Sequence, residues 1–289
     1  AGNMRDFRFI DRNGNVQTGS GNGGNGYTDD PQENVNYIDK HDNESLFDNT
    51  QAKLPADMSM ADRVRVHNLN NAFINFGQGV PFYMMGSDIL RSKSLDRNSF
   101  DSGDWFNFID FSLEQNGWGR GLPLAWDNSS RFSTMTQLLN NQNINPQKAD
   151  MQAAHAAFVE QLQIRYGSAL FRLDGKDDVM TRVNFNNTGP DQVPAVIAMS
   201  ISDGSCAGAD LDPNVDGVMV IINADDDPIT LPYTGADGFV LNSIQANGSD
   251  EIAKGATFSD GAFQLPGLTY AVFEKPQNGA QGEFPCNTN

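Results

Sequence analysis

The stretch that decides the fold is Val35-Asn36-Tyr37-Ile38-Asp39-Lys40-His41-Asp42-Asn43, together with the residues up to Met85. Val35 to Ile38 is a short β-prone run that leads directly into the polar Asp39–Asn43 segment. From Ser59 to Phe76 apolar residues fall at Met60, Val64, Leu69, Ala72, Phe73 and Phe76, which is the spacing of an amphipathic helix. Gly77 and Gly79 close it. Val80-Pro81-Phe82-Tyr83-Met84-Met85 then reads as a buried strand, because a compact apolar run bounded by glycines suits a strand covered on both faces. Strand, helix and strand in that order give the βαβ rhythm of a parallel α/β sheet or barrel.

Outward from this unit the character of the chain changes twice. Residues 86–145 show little periodicity and are rich in Trp, Asp, Asn and Arg, and long irregular stretches inside compact proteins are usually functional. A second helix is expected with Asn145 as N-cap, Pro146 in the first helical position and Gly167 past the end, its apolar face being Met151, Ala154, Phe158 and Leu162. Beyond about residue 170 come β-prone runs at Val179–Phe185, Ala195–Ile201, Val218–Ile222, Phe239–Ile244 and Thr269–Phe273, separated by Gly, Pro, Asn and Asp clusters. This is an antiparallel β-sandwich pattern. The expected division is residues 1–168 for an α/β part and 169–289 for an all-β domain. Ahead of all this, Gly19, Gly21, Gly23, Gly24 and Gly26 read as a surface loop, since no helix or G-K-[ST] context makes them a phosphate cradle.

The 289 residues carry 19 Lys+Arg against 37 Asp+Glu, a net charge of −18. That balance opposes nucleic acid and anionic membrane surfaces as partners and permits a neutral polymer. With 38% hydrophobic residues and 19 Phe the chain can bury a sizeable core. No apolar run approaches the ~18 residues of a membrane helix, and AGNMRDFRF has no signal-peptide core. Two cysteines, Cys206 and Cys286, are either one bridge or two free thiols, depending on fold and compartment.

Several residues can carry chemistry. In a parallel barrel, residues just past strand ends face the active site, and there a carboxylate such as Asp42 can stabilise developing positive charge while His41 donates to a hydroxyl. A metal-dependent phosphohydrolase also uses a His-Asp pair, but it needs further ligands, and only His67 and His155 remain, both on expected helices. The segment from Leu90 to Asn107 offers Arg, Asp and Asn that can fork onto vicinal hydroxyls and a Trp that can stack on a sugar face. Asp212-Pro213-Asn214-Val215-Asp216-Gly217 matches half of a calcium loop. Asn223 stands where a bidentate Glu is needed, so a hairpin turn is the better reading and no metal site is assigned.

Three blocks together resemble the pullulanase-type starch-debranching enzymes of the α-amylase superfamily (glycoside hydrolase family thirteen), limit dextrinase included. They are Val35–Asn43; Gly79-Val80-Pro81 with Gly86-Ser87-Asp88; and Leu90-Arg91-Ser92-Lys93-Ser94 followed by Arg97-Asn98-Ser99-Phe100-Asp101-Ser102-Gly103-Asp104-Trp105-Phe106-Asn107. The resemblance implies that Asp42 is the transition-state-stabilising carboxylate and that His41 binds the same sugar. It places Arg97, Asn98, Asp104, Asn107 and Asp127 along donor subsites, and gives Asp88 and Arg91 a loop-bracing role. It further implies retaining hydrolysis of α-1,6 bonds in pullulan, amylopectin and limit dextrins, without an obligatory cofactor, although calcium accompanies some members. Such enzymes need a nucleophile and an acid/base ~5–5.5 Å apart, which the family carries on earlier barrel strands. The expectation is therefore the last βα units of a (β/α)8 barrel plus a β-sandwich, exported by a bacterium, and inactive without the rest of the barrel.

Overall fold

The computed structural model describes residues 4–21 and 23–289. Ala1–Asn3 at the start of AGNMRDFRF, and Asn22 of the glycine-rich loop, lie outside the described residues. In chain order the strands are β1 (Arg8–Ile10), β2 (Val16–Thr18), β3 (Val35–Asn36), β4 (Val80–Pro81), β5 (Val183–Phe185), β6 (Val196–Ser202), β7 (Val215–Asn223), β8 (Ile229–Pro232), β9 (Val240–Leu241), β10 (Thr257–Ser259), β11 (Ala262–Leu265) and β12 (Thr269–Pro276). The helices are α1 (Leu46–Lys53), α2 (Met60–Asn75), α3 (Asp104–Asn107), α4 (Ala125–Asn128), α5 (Phe132–Leu139), α6 (Lys148–Gly167), α7 (Lys176–Arg182) and α8 (Ser243–Ala246). The protein is a mixed helix-and-sheet molecule with open sheets. It divides into two compact units: residues 1–36, 75–81 and 160–289, and residues 37–74 and 82–159.

The first unit is built on two antiparallel sheets, ordered β5-β6-β7-β12-β9 and β10-β11-β8. Their inward side chains share one core: Val196, Ala198, Met219, Ile221, Ala271 and Phe273 from one sheet, and Leu231, Phe263 and Leu265 from the other. Aromatic rings fill its centre, with Phe263 lying 4.9 Å from Phe273, 5.0 Å from Phe239 and 4.6 Å from Phe258 between centroids. Every residue of β7 is buried. That explains its near-continuous apolar sequence, which is the mark of a strand covered on both faces. The disulfide is formed: Cys206 and Cys286 are bridged with Cα atoms 6.1 Å apart. The half-loop Asp212–Gly217 sits where the β6–β7 connection enters β7. Its carboxylates are engaged locally, Asp212 by the Asn214 backbone and amide and Asp216 by the Gly282 N–H.

Also in this unit, β3 and β4 pair in parallel, Val35 with Val80 and Asn36 with Pro81. A parallel pair needs a long crossover between its strands, and here α1 and α2 occupy it. At Gly79 (φ +106°) a Cβ would lie 2.9 Å from the Asn34 carbonyl oxygen, so the close approach of the two backbones requires glycine. The pair is nevertheless shorter than the sequence suggested. Val80–Met85 is not a buried strand: β4 has two residues, and Val80, Phe82 and Met85 are 43%, 51% and 64% exposed. Each strand has a single partner, and a two-stranded sheet is marginal by itself.

Other expectations need correction. Val179–Arg182 is helical rather than extended. Asp177 and Asp178 stand in the first turn of α7 and Arg182 in its last, which suits the helix dipole. Leu241 ends β9, because the Asn242 side chain accepts from the Ile244 N–H and starts α8. Helix α6 begins at Lys148, not Pro146: the Gln147 N–H donates to the Asp150 carboxylate, and Gly167 is its last residue. Met151 and Ala154 are buried as expected, whereas Phe158 and Leu162 are only half-buried.

The second unit is helical and irregular. Phe47 of α1, Val64 of α2, Met135 of α5, and Met151 and Ala154 of α6 pack with Leu90, Leu95, Trp118 and Ile144. The irregular segment thus supplies core residues of its own. None of the described helices is long and apolar enough to cross a membrane.

Candidate functional site

The site lies within the second unit, where His41 and Asp42 stand on an irregular segment five residues beyond the last residue of β3. The His41 side chain is 87% exposed and that of Asp42 52%. The Asp42 carboxylate accepts from the Lys40 ammonium, and His41 Nδ1 lies 3.1 Å from its other oxygen. The Lys40 hydrogen bond, helped by the nearby His41, holds the Asp42 carboxyl below the usual carboxylate range. Asp42 is therefore an accessible group that stays ionised at neutral pH.

Asp42 borders a cleft of about 610 Å³ lined by Tyr37, Asp39, Lys40, Glu44, Asn49 and Asn70 among others. Asp39 is buried. It accepts from the Ser87 hydroxyl (2.8 Å) and from the Leu46 N–H (2.9 Å) at the start of α1. Glu44 is paired with Arg131. His67 is buried with Nε2 2.6 Å from the Ser87 carbonyl oxygen, and burial lowers its pKa, so it is a neutral core histidine. His155 Nδ1 contacts Asp88 at 2.8 Å. His41, His67 and His155 therefore have separate partners.

The Leu90–Asn107 loop is held from beneath by Asp48, a fully buried carboxylate on α1 that sequence reasoning overlooked. It accepts from the Ser92 hydroxyl, from Lys93 N–H (2.7 Å) and from Leu95 N–H (3.1 Å). Burial pushes its pKa up to about 6 against these donors. Leu90, Ser94 and Leu95 all have left-handed backbones, with φ of +58°, +54° and +66°. That is a sparsely populated conformation for such residues, which persists only where surroundings impose it and concentrates at functional sites. Asn116 completes the brace by donating to Leu90 O (2.6 Å) and accepting from Ser92 N–H (2.8 Å). Neighbouring Gly117 (φ +96°) has no room for a side chain, since a Cβ would stand 2.3 Å from the Ser92 carbonyl oxygen.

Further along the loop, Asn98 forms an antiparallel bridge with Asp42. The Asp96 carboxylate accepts from Asn98 N–H (3.1 Å) and from the Asn128 amide (3.0 Å). Arg97 and Asp104 point outward and are exposed. Asn107 directs its amide N–H₂ to Ser99 O (2.6 Å) and Gly103 O (3.0 Å), so half of its hydrogen-bonding capacity serves the loop itself. Arg91 spans Met85 O (3.1 Å) and Asn107 O (2.9 Å). Asp88 contacts His155 of α6 rather than the 97–107 loop. Asp127 is half-buried on α4, beside an exposed Trp126 whose ring meets Phe100 at 6.0 Å. Arg120 lies 4.8 Å from the Trp105 ring and 4.2 Å from that of Phe108, a cation–π stack.

The cleft offers a solvent-facing carboxylate, Asp42, with Tyr37, Asn43, Asn49 and Asn70 among its other lining residues, whereas Arg97, Asp104, Asn107 and Asp127 do not line it. A neutral polyhydroxylated ligand matches that chemistry better than an anion. Among the described residues the one cluster with metal-ligand character is Asp225–Asp227, an exposed acidic turn of the first unit.

Residues 113–276 match the family described as alpha-1,6-glucosidases, pullulanase-type, C-terminal. The chain is 40% identical over 288 residues to the pullulanase of Klebsiella pneumoniae, covering 98% of this chain and 26% of that protein. It is 38% identical over 260 residues to pullulanase 1, chloroplastic, of Arabidopsis thaliana, covering 88% and 27%. The crystal structure of K. pneumoniae pullulanase complexed with maltotriose superposes with a TM-score of 0.94 at 39% identity, over 98% of this chain and 27% of that one. The chain thus spans about a quarter of the length of these relatives. With more than half of its residues inside the family match, it belongs to the pullulanase-type alpha-1,6-glucosidase family.

Proposed function

We propose that this chain is the C-terminal part of a retaining glycosidase that cleaves α-1,6-glucosidic branch bonds in pullulan, amylopectin and limit dextrins. In this reading β3 and β4 are strands from the end of a (β/α)8 barrel reaching to about residue 168, and the two antiparallel sheets of residues 169–289 are a β-sandwich domain. Asp42 stabilises the oxocarbenium-like transition state. His41 hydrogen-bonds the same sugar, and Arg97, Asn98, Asp104, Asn107 and Asp127 line donor subsites. The observation that carries the reading is Asp42 itself: an ionised, half-exposed carboxylate lining a cleft. Positive charge developing on a bound sugar is stabilised by such a fixed anion.

The nucleophile and the acid/base belong, in this proposal, to barrel strands outside residues 1–289. Half-exposed apolar side chains support it: Val35 and Val80 in one unit, Tyr37, Phe82 and Met85 in the other. Such residues suit burial beneath further barrel elements. The bridged cysteines favour an oxidising compartment, hence an extracellular or cell-surface location. Two measurements test the assignment. Asp42→Asn in the full-length enzyme should cut kcat on pullulan by at least ~10³-fold, and an unchanged kcat removes the role. The purified 289-residue chain should release no reducing sugar from pullulan, and clear release would show that the remaining barrel is dispensable.

A further inference from the structure

We propose that Lys93 is a positioning residue for Asp42, acting through the backbone of the turn that carries it; this rests on the reading of Asp42 given above. Lys93 is 1% exposed, and its ammonium donates to His41 O (2.8 Å), Asn43 O (2.6 Å) and Ser99 Oγ (3.2 Å). An ammonium has three N–H groups, and all three are used. Two of the acceptors are main-chain carbonyls on either side of Asp42, so the peptide groups bracketing the carboxylate are fixed by one buried cation. Asn43 has a left-handed backbone, φ +61°.

The position of Lys93 is itself set from below. Its N–H and that of Leu95 end on Asp48, and the left-handed residues Ser94 and Leu95 come directly after it. Force therefore passes from Asp48 on α1, through residues 92–95, to the lysine side chain and on to the His41–Asn43 turn. Packing alone does not call for a lysine here. Burying an ammonium is costly, and an apolar side chain of similar length would fill the space at lower cost. Its use lies in locking backbone carbonyls that an apolar group cannot hold. Positioning at this level matters because misplacing a catalytic group by about 1 Å costs on the order of 10²-fold in rate.

The test compares Lys93→Met, Lys93→Arg and Asp42→Asn in the full-length enzyme carrying this chain, with pullulan as substrate below the onset of melting. Lys93→Met should lower kcat by on the order of 10²-fold while KM stays within about threefold, and Lys93→Arg should recover part of the loss. In the 289-residue chain, hydrogen exchange of a peptide spanning residues 41–43 should quicken by about tenfold in Lys93→Met, with β7 and β12 unchanged. Should Lys93→Met not fold, Ser99→Ala removes one of the three contacts and should still lower kcat by about threefold at constant KM. Full kcat in the lysine and serine variants beside a dead Asp42→Asn overturns this proposal and leaves the role of Asp42 standing. Full kcat in Asp42→Asn overturns both.

Discussion

Asp48 offers a sharp test of the electrostatics beneath the site. It is fully buried, accepts three hydrogen bonds, and has its pKa raised by burial from 3.8 to about 6. A carboxyl raised in the folded state binds its proton more tightly folded than unfolded. Folding is therefore favoured as pH falls through about 6, and the gain is complete once the unfolded carboxyl also protonates near 3.8. At about 1.4 kcal/mol per pH unit the gap corresponds to about 3 kcal/mol. Many other carboxyls titrate in the same range, and acidification also relieves the net charge of −18, so a single pH series on the wild type would not isolate this group. The variant Asp48→Asn does. Its amide oxygen can still accept from Lys93 and Leu95 N–H, and its N–H₂ can donate to the Ser92 hydroxyl, so the brace survives without an ionisable group. Urea melts monitored by tryptophan fluorescence report on this unit, whose core contains Trp118. The stability of wild type minus that of Asp48→Asn should rise by up to about 3 kcal/mol between pH 7 and pH 4. A flat difference would refute the burial argument. A fall would mean that the three donors outweigh burial and hold the carboxyl below 3.8.

Three more outcomes are expected. Replacing both Cys206 and Cys286 by Ala opens a covalent loop with 80 residues of sequence separation and should lower stability by up to about 4.5 kcal/mol, read as a drop in urea midpoint with a steeper slope, because the unfolded chain without the cross-link exposes more surface. Gly248→Ala puts a Cβ 2.0 Å from Glu160 Oε2, whose other oxygen accepts from the buried Tyr270 hydroxyl at 2.8 Å; displacing that carboxyl should cost about 1–3 kcal/mol by thermal melting. Phe263→Ala, at a 0% exposed ring among four others, should cost about 3–5 kcal/mol, whereas Phe100→Ala, at a 79% exposed one, should stay within about 0.5 kcal/mol.

How much of the molecule is legible in the sequence depends on how local each signal is. Helix α2 was readable because its apolar spacing and terminal glycines belong to one continuous stretch, although Phe73 is 38% exposed and Ile74 is buried instead. The strand β7 was readable because a strand covered on both faces is largely apolar, and β6 and β12 because most of their residues are buried and most of those are apolar. The termini of α6 and α7 were misread, since Pro146 and the β-branched Val179 and Thr181 carry weak propensities that the Asp150 cap and the Arg182 contacts override. Strands β1, β2, β8, β10 and β11 were missed because three- or four-residue runs rise barely above turn composition. At the site, the chemistry of His41, Asp42 and the Arg91–Asn107 loop was visible as residue types. The clamp was not. Asp48 meets Lys93 across 45 positions, and Lys93 meets His41 across 52. No spacing rule links groups that far apart. The one available signal was an Asp and a Lys standing among residues that pack as core.

The chain enters and leaves the second unit twice, at residues 37, 74, 82 and 159, and two of those passages lie within α2 and α6. Neither unit can be copied out as one uninterrupted coding segment. Trimming by an exopeptidase cannot free one from the other, and a single internal nick leaves them joined by at least three of the four chain crossings. For anyone engineering this protein, the sites open to fusion, permutation or shuffling are set by that threading.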